Sequence, residues 1–278
     1  MTIFRENLAL HPGQRAADAS ISELFHENTK VRRYMAAPGA TESEYHLAET
    51  DAMSRAYKLY RQRPKIALPP IPIEHARLSL REAIAARRTR RAFAPGQITL
   101  QEISSILQLS YGITRQAGTP GGGTQPLRGA PSAGALYPAE LYLAVRNVSG
   151  LDAGIYHYEV PETQLALLHT GDVSQRLTDI CCGQAYGEEA ALTVLISAVV
   201  QRTTRKYGDR GYRYVLIDLG HVAQNLYLSC TALDLSMVPT CAFYDDAAAH
   251  LLGIDGCDES AFYIGFIGRS VQPRPDGK

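Results

Sequence analysis

The chain has 278 residues, 45% of them hydrophobic and 20% charged, which suffices for one large domain, or a domain with an extension, around a real core. Its 28 Lys plus Arg balance its 28 Asp plus Glu, so no bulk field points to nucleic acid or an anionic membrane. The longest apolar run, Ala190 to Val200, is broken by Thr193 and Ser197 and is too short to cross a bilayer.

From the N-terminus, Met1-Thr2-Ile3-Phe4-Arg5-Glu6-Asn7 has an early acid and no apolar h-region, so a cytoplasmic location is expected. Residues 1–77 read as a polar extension and Pro-rich linker, with one helix around Glu42 to Tyr60 followed by Pro64, Pro69, Pro70 and Pro72. The compact domain is expected over 78–270, with a short tail at 271–278. It opens at Ser79, whose spacing to Glu82 makes a capping box for a short helix with Leu80 and Ile84 on one face; Thr99 and Glu102 repeat the device. The second helix, Leu100 to Tyr111, buries Ile103, Ile106 and Leu107, and Gly112 stops it.

Thr114 to Pro131 reads as a long Gly-, Thr- and Pro-rich loop containing Gly121-Gly122-Gly123, a length usually reserved for function or mobility. Strands are expected at Leu141 to Val145, Ile155 to Val160, Leu165 to His169 and Ala190 to Val200, with a short helix at Val173 to Cys182. A basic turn, Arg202 to Gly211, then precedes a long helix, Tyr212 to Leu233. The chain ends on a strand at Val238 to Tyr244, a helix at Asp245 to Leu252 and a strand at Ala261 to Ile267. Helices and strands mix without strict alternation, which favours an α+β domain over a doubly wound one.

Several residues have plain structural readings. Tyr156, His157 and Tyr158 alternate as a strand does and divide between core and solvent. Asp245-Asp246 reads as a helix cap, and His221 as a structural hydrogen-bonding residue. The cysteines at 181, 182, 230, 241 and 257 have no Cys-x-x-Cys or zinc spacing, so no metal is expected and most read as buried small apolar residues.

Chemistry concentrates in three places. Lys206-Tyr207 stands in the basic turn, between two core elements. A lysine acts as a general base near neutrality only if its pKa drops by about 3 units, or roughly 4 kcal/mol, and Arg202, Arg205 and Arg210 are candidate sources of that push. Arg87-Arg88-Thr89-Arg90-Arg91 offers four guanidiniums and a hydroxyl suited to a phosphate, although a solvated helix end reads the same way. Pro131-Ser132-Ala133-Gly134-Ala135-Leu136-Tyr137-Pro138 combines rigid ends with small residues that let backbone approach a flat ligand, or is simply a turn into a strand. Gly268-Arg269 follows the last strand, where it can return to the same anion.

Together with Gly154-Ile155-Tyr156-His157-Tyr158 and the run from Arg205 through Tyr214 to Asp218-Leu219-Gly220-His221 and Asn225-Leu226, these motifs resemble the nitroreductase superfamily of flavin enzymes. Within it they are similar to the SagB-type, or McbC-like, azoline dehydrogenases. The resemblance covers about residues 78 to 269, and part of the extension, Phe25 to Lys30, looks like the leading segment of such proteins. Thr89 stands where serine is usual, which keeps the hydroxyl.

The resemblance implies a nitroreductase-like fold, a central, mostly antiparallel sheet flanked by helices, in an obligate homodimer with both subunits contributing to each flavin. It implies FMN, with Arg87, Arg88, Thr89, Arg91, Gly268 and Arg269 toward the phosphate. Pro131, Ser132, Ala133, Gly134 and Ala135 are then expected to line the flavin. No Gly-x-Gly-x-x-Gly in a βαβ setting argues for a dinucleotide instead. The implied reaction is oxidation of a thiazoline or oxazoline ring in a ribosomally made precursor peptide, with Lys206 and Tyr207 as the acid/base pair, oxygen as the final acceptor and a cyclodehydratase as an open partner. The alternatives are an NAD(P)H-dependent nitro- or quinone reductase and a non-catalytic flavin-binding scaffold subunit.

Overall fold

The computed structural model describes residues 20–30, 57–72, 78–118 and 123–271. The chain divides into two compact units, Met1–Tyr45 and His46–Lys278. In the first, helix α1 (Ile21–Asn28) starts from a capping box made by Ser20 and Glu23.

The second unit begins its regular structure with strand β1 (Lys65–Ala67), inside the segment expected to be extension and linker. Helix α2 (Leu80–Ala86), the two-residue strands β2 (Phe93–Ala94) and β3 (Ile98–Thr99) and helix α3 (Leu100–Tyr111) follow. Both expected capping boxes form, Ser79 with Glu82 and Thr99 with Glu102. Leu80 and Ile84, however, are exposed, and Ala83 is the buried residue of α2. Strands β4 (Ile113–Gly118) and β5 (Thr124–Arg128) pair antiparallel where a loop was expected. A ribbon with two free edges tolerates Pro126, so the Gly and Pro content concealed strand pairing. Gly121 and Gly122 lie outside the described residues, as does most of the helix expected at Glu42 to Tyr60.

Strands β6 (Ala139–Val145), β7 (Val148–Ser149), β8 (Gly154–Glu159) and β9 (Gln164–Thr170) come next, then helices α4 (Ser174–Ile180) and α5 (Tyr186–Glu189) and strand β10 (Leu192–Val199). The basic turn is in fact helical: α6 (Gln201–Tyr207), then a tight turn over Gly208–Arg210, then the long helix α7 (Gly211–Ala232). Gln, Arg and Lys are good helix formers, and Gly208, at φ 58°, separates the two helices. Strand β11 (Leu235–Thr240) starts earlier than the expected Val238 because Asp234, at φ 55°, reverses the chain within two residues of α7. Helix α8 (Asp245–Leu252) and strand β12 (Glu259–Ser270) complete the unit. Tyr244 holds the cap position of α8, and Asp245 and Asp246 lie in its first turn, where they favour the helix dipole.

The main sheet runs β1-β9-β8-β6-β10-β12-β11, with β2 beside the end of β12, and every neighbouring pair is antiparallel. The architecture is the expected α+β arrangement. Along β6, Leu141, Leu143 and Val145 pack with α3 and α7, while the intervening Tyr142 and Ala144 pack with α4 and α8. Both faces are therefore covered, and each fully buried Leu contributes about 1.5–3 kcal/mol. This is why Tyr156, His157 and Tyr158 are all buried, rather than divided between core and solvent. Cys181 and Cys230 are buried, whereas Cys182, Cys241 and Cys257 are exposed, and all five are free thiols. Among the described residues no helix is long and apolar enough to cross a membrane.

Glu140, Glu159 and Glu259 are buried on the sheet, and each is paired with a basic side chain: Arg202 at 2.6 Å, Lys65 at 2.5 Å and Lys58 at 2.5 Å respectively. Buried carboxylates persist only when paired in this way. The first pair carries α6, and with it the candidate site.

Candidate active site

The turn ahead of β6 holds Gly134, Ala135 and Tyr137 in the left-handed region, at φ 60°, 52° and 48°. For Ala135 and Tyr137 this costs roughly 1–2 kcal/mol each. Hydrogen bonds offset the cost. Ser132 Oγ donates to Asp218 Oδ2 at 2.5 Å, the Ala133 N–H lies 3.3 Å from the same carboxylate, and the Tyr137 N–H donates to Ser132 Oγ at 2.9 Å. Asp218 thus fixes the shape of the turn from α7. Burial raises its pKa despite the opposing effect of the Ser132 and Ala133 bonds. In the sequence this acid stood out only as the first residue of the run Asp218-Leu219-Gly220-His221. The better signal was its place between Val215 and Val222 on the buried face of a helix, where an unpaired acid is costly.

Lys206 and Tyr207 close α6 against this turn. A Cβ placed on Gly134 would lie 2.7 Å from the Tyr207 hydroxyl and 3.1 Å from Lys206 Nζ, so both functional groups converge on the one residue that leaves them room. Tyr207 packs edge-on to Tyr214, with ring centroids 5.1 Å apart, and Arg210 Nε donates to the Tyr214 hydroxyl at 2.8 Å. Burial lowers the pKa of Lys206. It raises that of Tyr207, with Tyr214 and Asp218 adding to the effect. The neighbouring arginines are not the source of the Lys206 shift. Arg202 turns inward to Glu140, Arg205 donates to Gln201 Oε1 at 3.1 Å, and Arg210 is held by Tyr214. On the Tyr214 side of the pair lies a concavity of about 220 Å³ walled by Pro131, Ala133, Tyr214 and Ile217, with Asp218 and His221 also on its wall.

Glu140 anchors the arrangement. Burial works to raise its pKa, but Arg202, the His157 hydrogen bond and Arg128 bring it down to about 2. Because the folded value lies below the unfolded one of about 4.3, Glu140 contributes stability that is present above the unfolded value and is lost as pH falls toward about 2. The guanidinium chloride midpoint of the wild type is therefore expected to fall steeply across that window. A Glu140→Gln variant, less stable at neutral pH, should show a flatter profile there; an unchanged slope would remove Glu140 from the account.

The arginine strip lies elsewhere along α7. The Arg87 guanidinium sits 5.0 Å from the Tyr227 ring centroid, and the Thr89 hydroxyl is 2.9 Å from the Tyr227 hydroxyl. Arg88 donates to the carbonyls of Ala85 and Arg87 at 2.9 and 2.8 Å, while Arg90 is tied to the Met237 carbonyl and to Ser270 Oγ. Among the described residues, no carboxylate stands within ion-pair distance of Arg87, Arg88 or Arg91. Uncompensated guanidiniums beside a hydroxyl fit a phosphate by the chemistry of the donor set.

Arg269 is placed differently from these. It grips Glu102 through two bonds of 2.6 and 2.7 Å and donates from Nε to the Gln97 carbonyl at 2.8 Å. Burial pushes the Glu102 carboxyl up, and the bonds from Arg269 and Thr99 more than reverse this. Gly268 backs onto the Phe93 ring, which a Cβ would meet at 2.6 Å. Within one chain, Asp218 and Tyr227 are nine positions apart on α7, or about 14 Å along its axis. The turn with Lys206 and the strip with Arg87 are separate stations on one helix.

Residues 84–269 match the sequence profile of the nitroreductase family. The chain belongs to the nitroreductase family. As a family member it is an oxidoreductase, and its relatives divide into two kinds. MJ1384 of Methanocaldococcus jannaschii, assigned as a nitroreductase, is 37% identical over 208 residues, covering 75% of this chain and 98% of MJ1384. The trifolitoxin-processing protein TfxB of Rhizobium leguminosarum bv. trifolii is 25% identical over 221 residues, covering 78% of this chain and 59% of TfxB. A solved structure from Anabaena variabilis, also assigned as a nitroreductase, superposes with a TM-score of 0.68 at 26% identity, over 89% of this chain and 47% of that one. The E. coli microcin synthetase McbBCD complex with truncated pro-MccB17 contains a chain of the same fold, at a TM-score of 0.56 and 20% identity, over 91% and 92% of the two chains. The chain thus spans less than two thirds of TfxB and of the Anabaena protein.

Proposed function

We propose that the chain is an FMN-dependent dehydrogenase of the SagB type, which oxidises thiazoline or oxazoline rings in a ribosomally made peptide to the aromatic azoles. The observation that carries this reading is the convergence of Lys206 Nζ and the Tyr207 hydroxyl on Gly134. Aromatising an azoline requires a base for a ring proton, and a reductase fed by a nicotinamide does not. The name of TfxB, a toxin-processing protein, and the pro-peptide bound in the microcin synthetase complex support a peptide substrate. Such a substrate must be supplied by a cyclodehydratase.

When bound, FMN supplies a two-electron acceptor that molecular oxygen can regenerate. Lys206, made less basic by burial, takes the ring proton at Nζ, while Tyr207 stays protonated at neutral pH and serves as a hydrogen-bond donor. Arg87, Arg88 and Arg91 hold the phosphate, with Thr89 as a neutral donor. The backbone of Ala133, Gly134 and Ala135 lines the flavin, the Ser132 hydroxyl being committed to Asp218. Arg269 is committed to Glu102 and is left out of the phosphate set. The two stations on α7 are joined by a homodimer, in which the strip of one chain and the turn of its partner enclose one flavin. Exposed Leu216 and Ile217 on α7, with Leu80 and Ile84 on α2, supply apolar surface for such a dimer. The flavin domain is residues 78–270, with β1 from the preceding extension sealing the sheet at β9.

A nitro- or quinone reductase is the second reading, favoured by the assignment of MJ1384. Anaerobic visible spectroscopy separates the two. An azoline peptide is expected to bleach the flavin band of the purified protein, and NADPH alone is not. The reverse pattern would make the chain a reductase, and no bleaching by either would make it a scaffold.

A further inference from the structure

We propose that Arg202 is the positioning residue of the active site, a single buried guanidinium that sets the distance between Lys206 and the turn at Gly134. The inference rests on the reading of Lys206 as the base. Arg202 lies one helical turn before Lys206 in α6, on the same side of the helix. Its side chain points into the molecule and is 9% exposed. One nitrogen meets Glu140 Oε1 at 2.6 Å, and the other donates to the carbonyl of Tyr137 at 3.1 Å. Glu140 Oε2 is held in turn by His157 Nε2 at 2.8 Å, and His157 is fully buried between the rings of Tyr60 and Tyr142, at 5.1 and 4.9 Å.

Three elements therefore meet at one planar fork. Tyr137 ends the left-handed part of the turn that carries Gly134, Glu140 belongs to β6, and Arg202 belongs to α6. Because the carbonyl and the carboxylate occupy two directions of one rigid group, α6 cannot slide along the turn without breaking one of the bonds. Lysine, with a single ammonium on a flexible stem, has no equivalent. Nor is the charge of Arg202 spent on Lys206: its partner carboxylate neutralises it. The role is geometric, and the depth to which Lys206 is buried follows from it.

The test compares wild type with Arg202→Met, with the double variant Arg202→Met/Glu140→Gln and with Lys206→Ala, all as flavin-loaded full-length protein. The double variant removes the buried charge that Arg202→Met would strand and so keeps the chain foldable. Lysines occur only at 30, 58, 65, 206 and 278, so ¹³C-dimethylation gives few resonances, and Lys206→Ala assigns the one of interest. In the double variant the Lys206 resonance is expected to titrate at a higher pH than in wild type. Flavin loading should be unchanged, and single-turnover flavin reduction by an azoline peptide should slow roughly 100-fold, the cost of a misplacement near 1 Å. An unmoved resonance with reduction within about threefold of wild type overturns the role of Arg202. Wild-type reduction in Lys206→Ala overturns the base reading instead, whatever Arg202 does.

Discussion

Lys206→Ala is expected to yield a yellow, FMN-loaded protein that no longer oxidises azoline rings at a useful rate. The side chain lies at the end of α6, remote from the arginine strip that follows α2 and packs beside Tyr227 of α7, so its removal leaves the groups assigned to the phosphate untouched. General acid–base catalysis by a positioned side chain contributes about 10²–10⁴-fold. The anaerobic rate of flavin reduction by substrate should therefore fall by roughly 10³, equivalent to about 4 kcal/mol of barrier. Because burial lowers the Lys206 pKa, the wild-type rate should rise with pH through a value below the ordinary lysine range of about 10.4, as the amine loses its proton. That limb should vanish in the variant. Lys206→Arg should not rescue, since a guanidinium stays charged and cannot accept the proton. A rate within about fivefold of wild type would sink the assignment.

Much of this was legible in the sequence, for reasons specific to the residues involved. Capping boxes at Ser79 and Thr99 are local devices, and local devices survive folding unchanged. The strands at β6, β8, β9 and β10 announced themselves because β-branched and aromatic residues fit a pleated, buried surface. The failures share a different cause. Tyr156, His157 and Tyr158 alternate like a half-exposed strand, yet helices cover both faces of the sheet, and polar residues on the second face are neutralised by partners far away in sequence. His157 with Glu140, and Glu140 with Arg202, are pairings that spacing cannot show. The arginines near Lys206 illustrate the same limit: adjacency in sequence implied cations pressing on an amine, whereas the folded chain sends each arginine to its own partner. Arg269 likewise follows its strand into Glu102. Gly134 is the clearest case of chemistry set by space, since its importance lies in the 2.7 Å that a methyl group would have to share with Tyr207.

Arg87→Ala together with Arg91→Ala is expected to produce colourless protein after dialysis while leaving the fold intact. Neither guanidinium has a carboxylate partner among the described residues, so truncation strands no buried charge. Each charge-assisted bond to a phosphate contributes about 1.5–3 kcal/mol, so loss of one weakens FMN binding about 10- to 100-fold and loss of both by more, though neighbouring effects will not simply add. Arg87→Lys should recover only part of the affinity, because the planar fork and its stacking on Tyr227 are lost while the charge remains. The decisive comparison is with Arg269→Ala. Breaking its bond to Glu102 should lower the melting temperature by releasing the end of β12 from α3, yet leave the flavin bound. Fluorescence titration of FMN into stripped protein compares these three variants with wild type. If Arg269→Ala loses flavin while the double variant keeps it, the phosphate belongs at the end of β12, and the strip beside Tyr227 is only a solvated helix end.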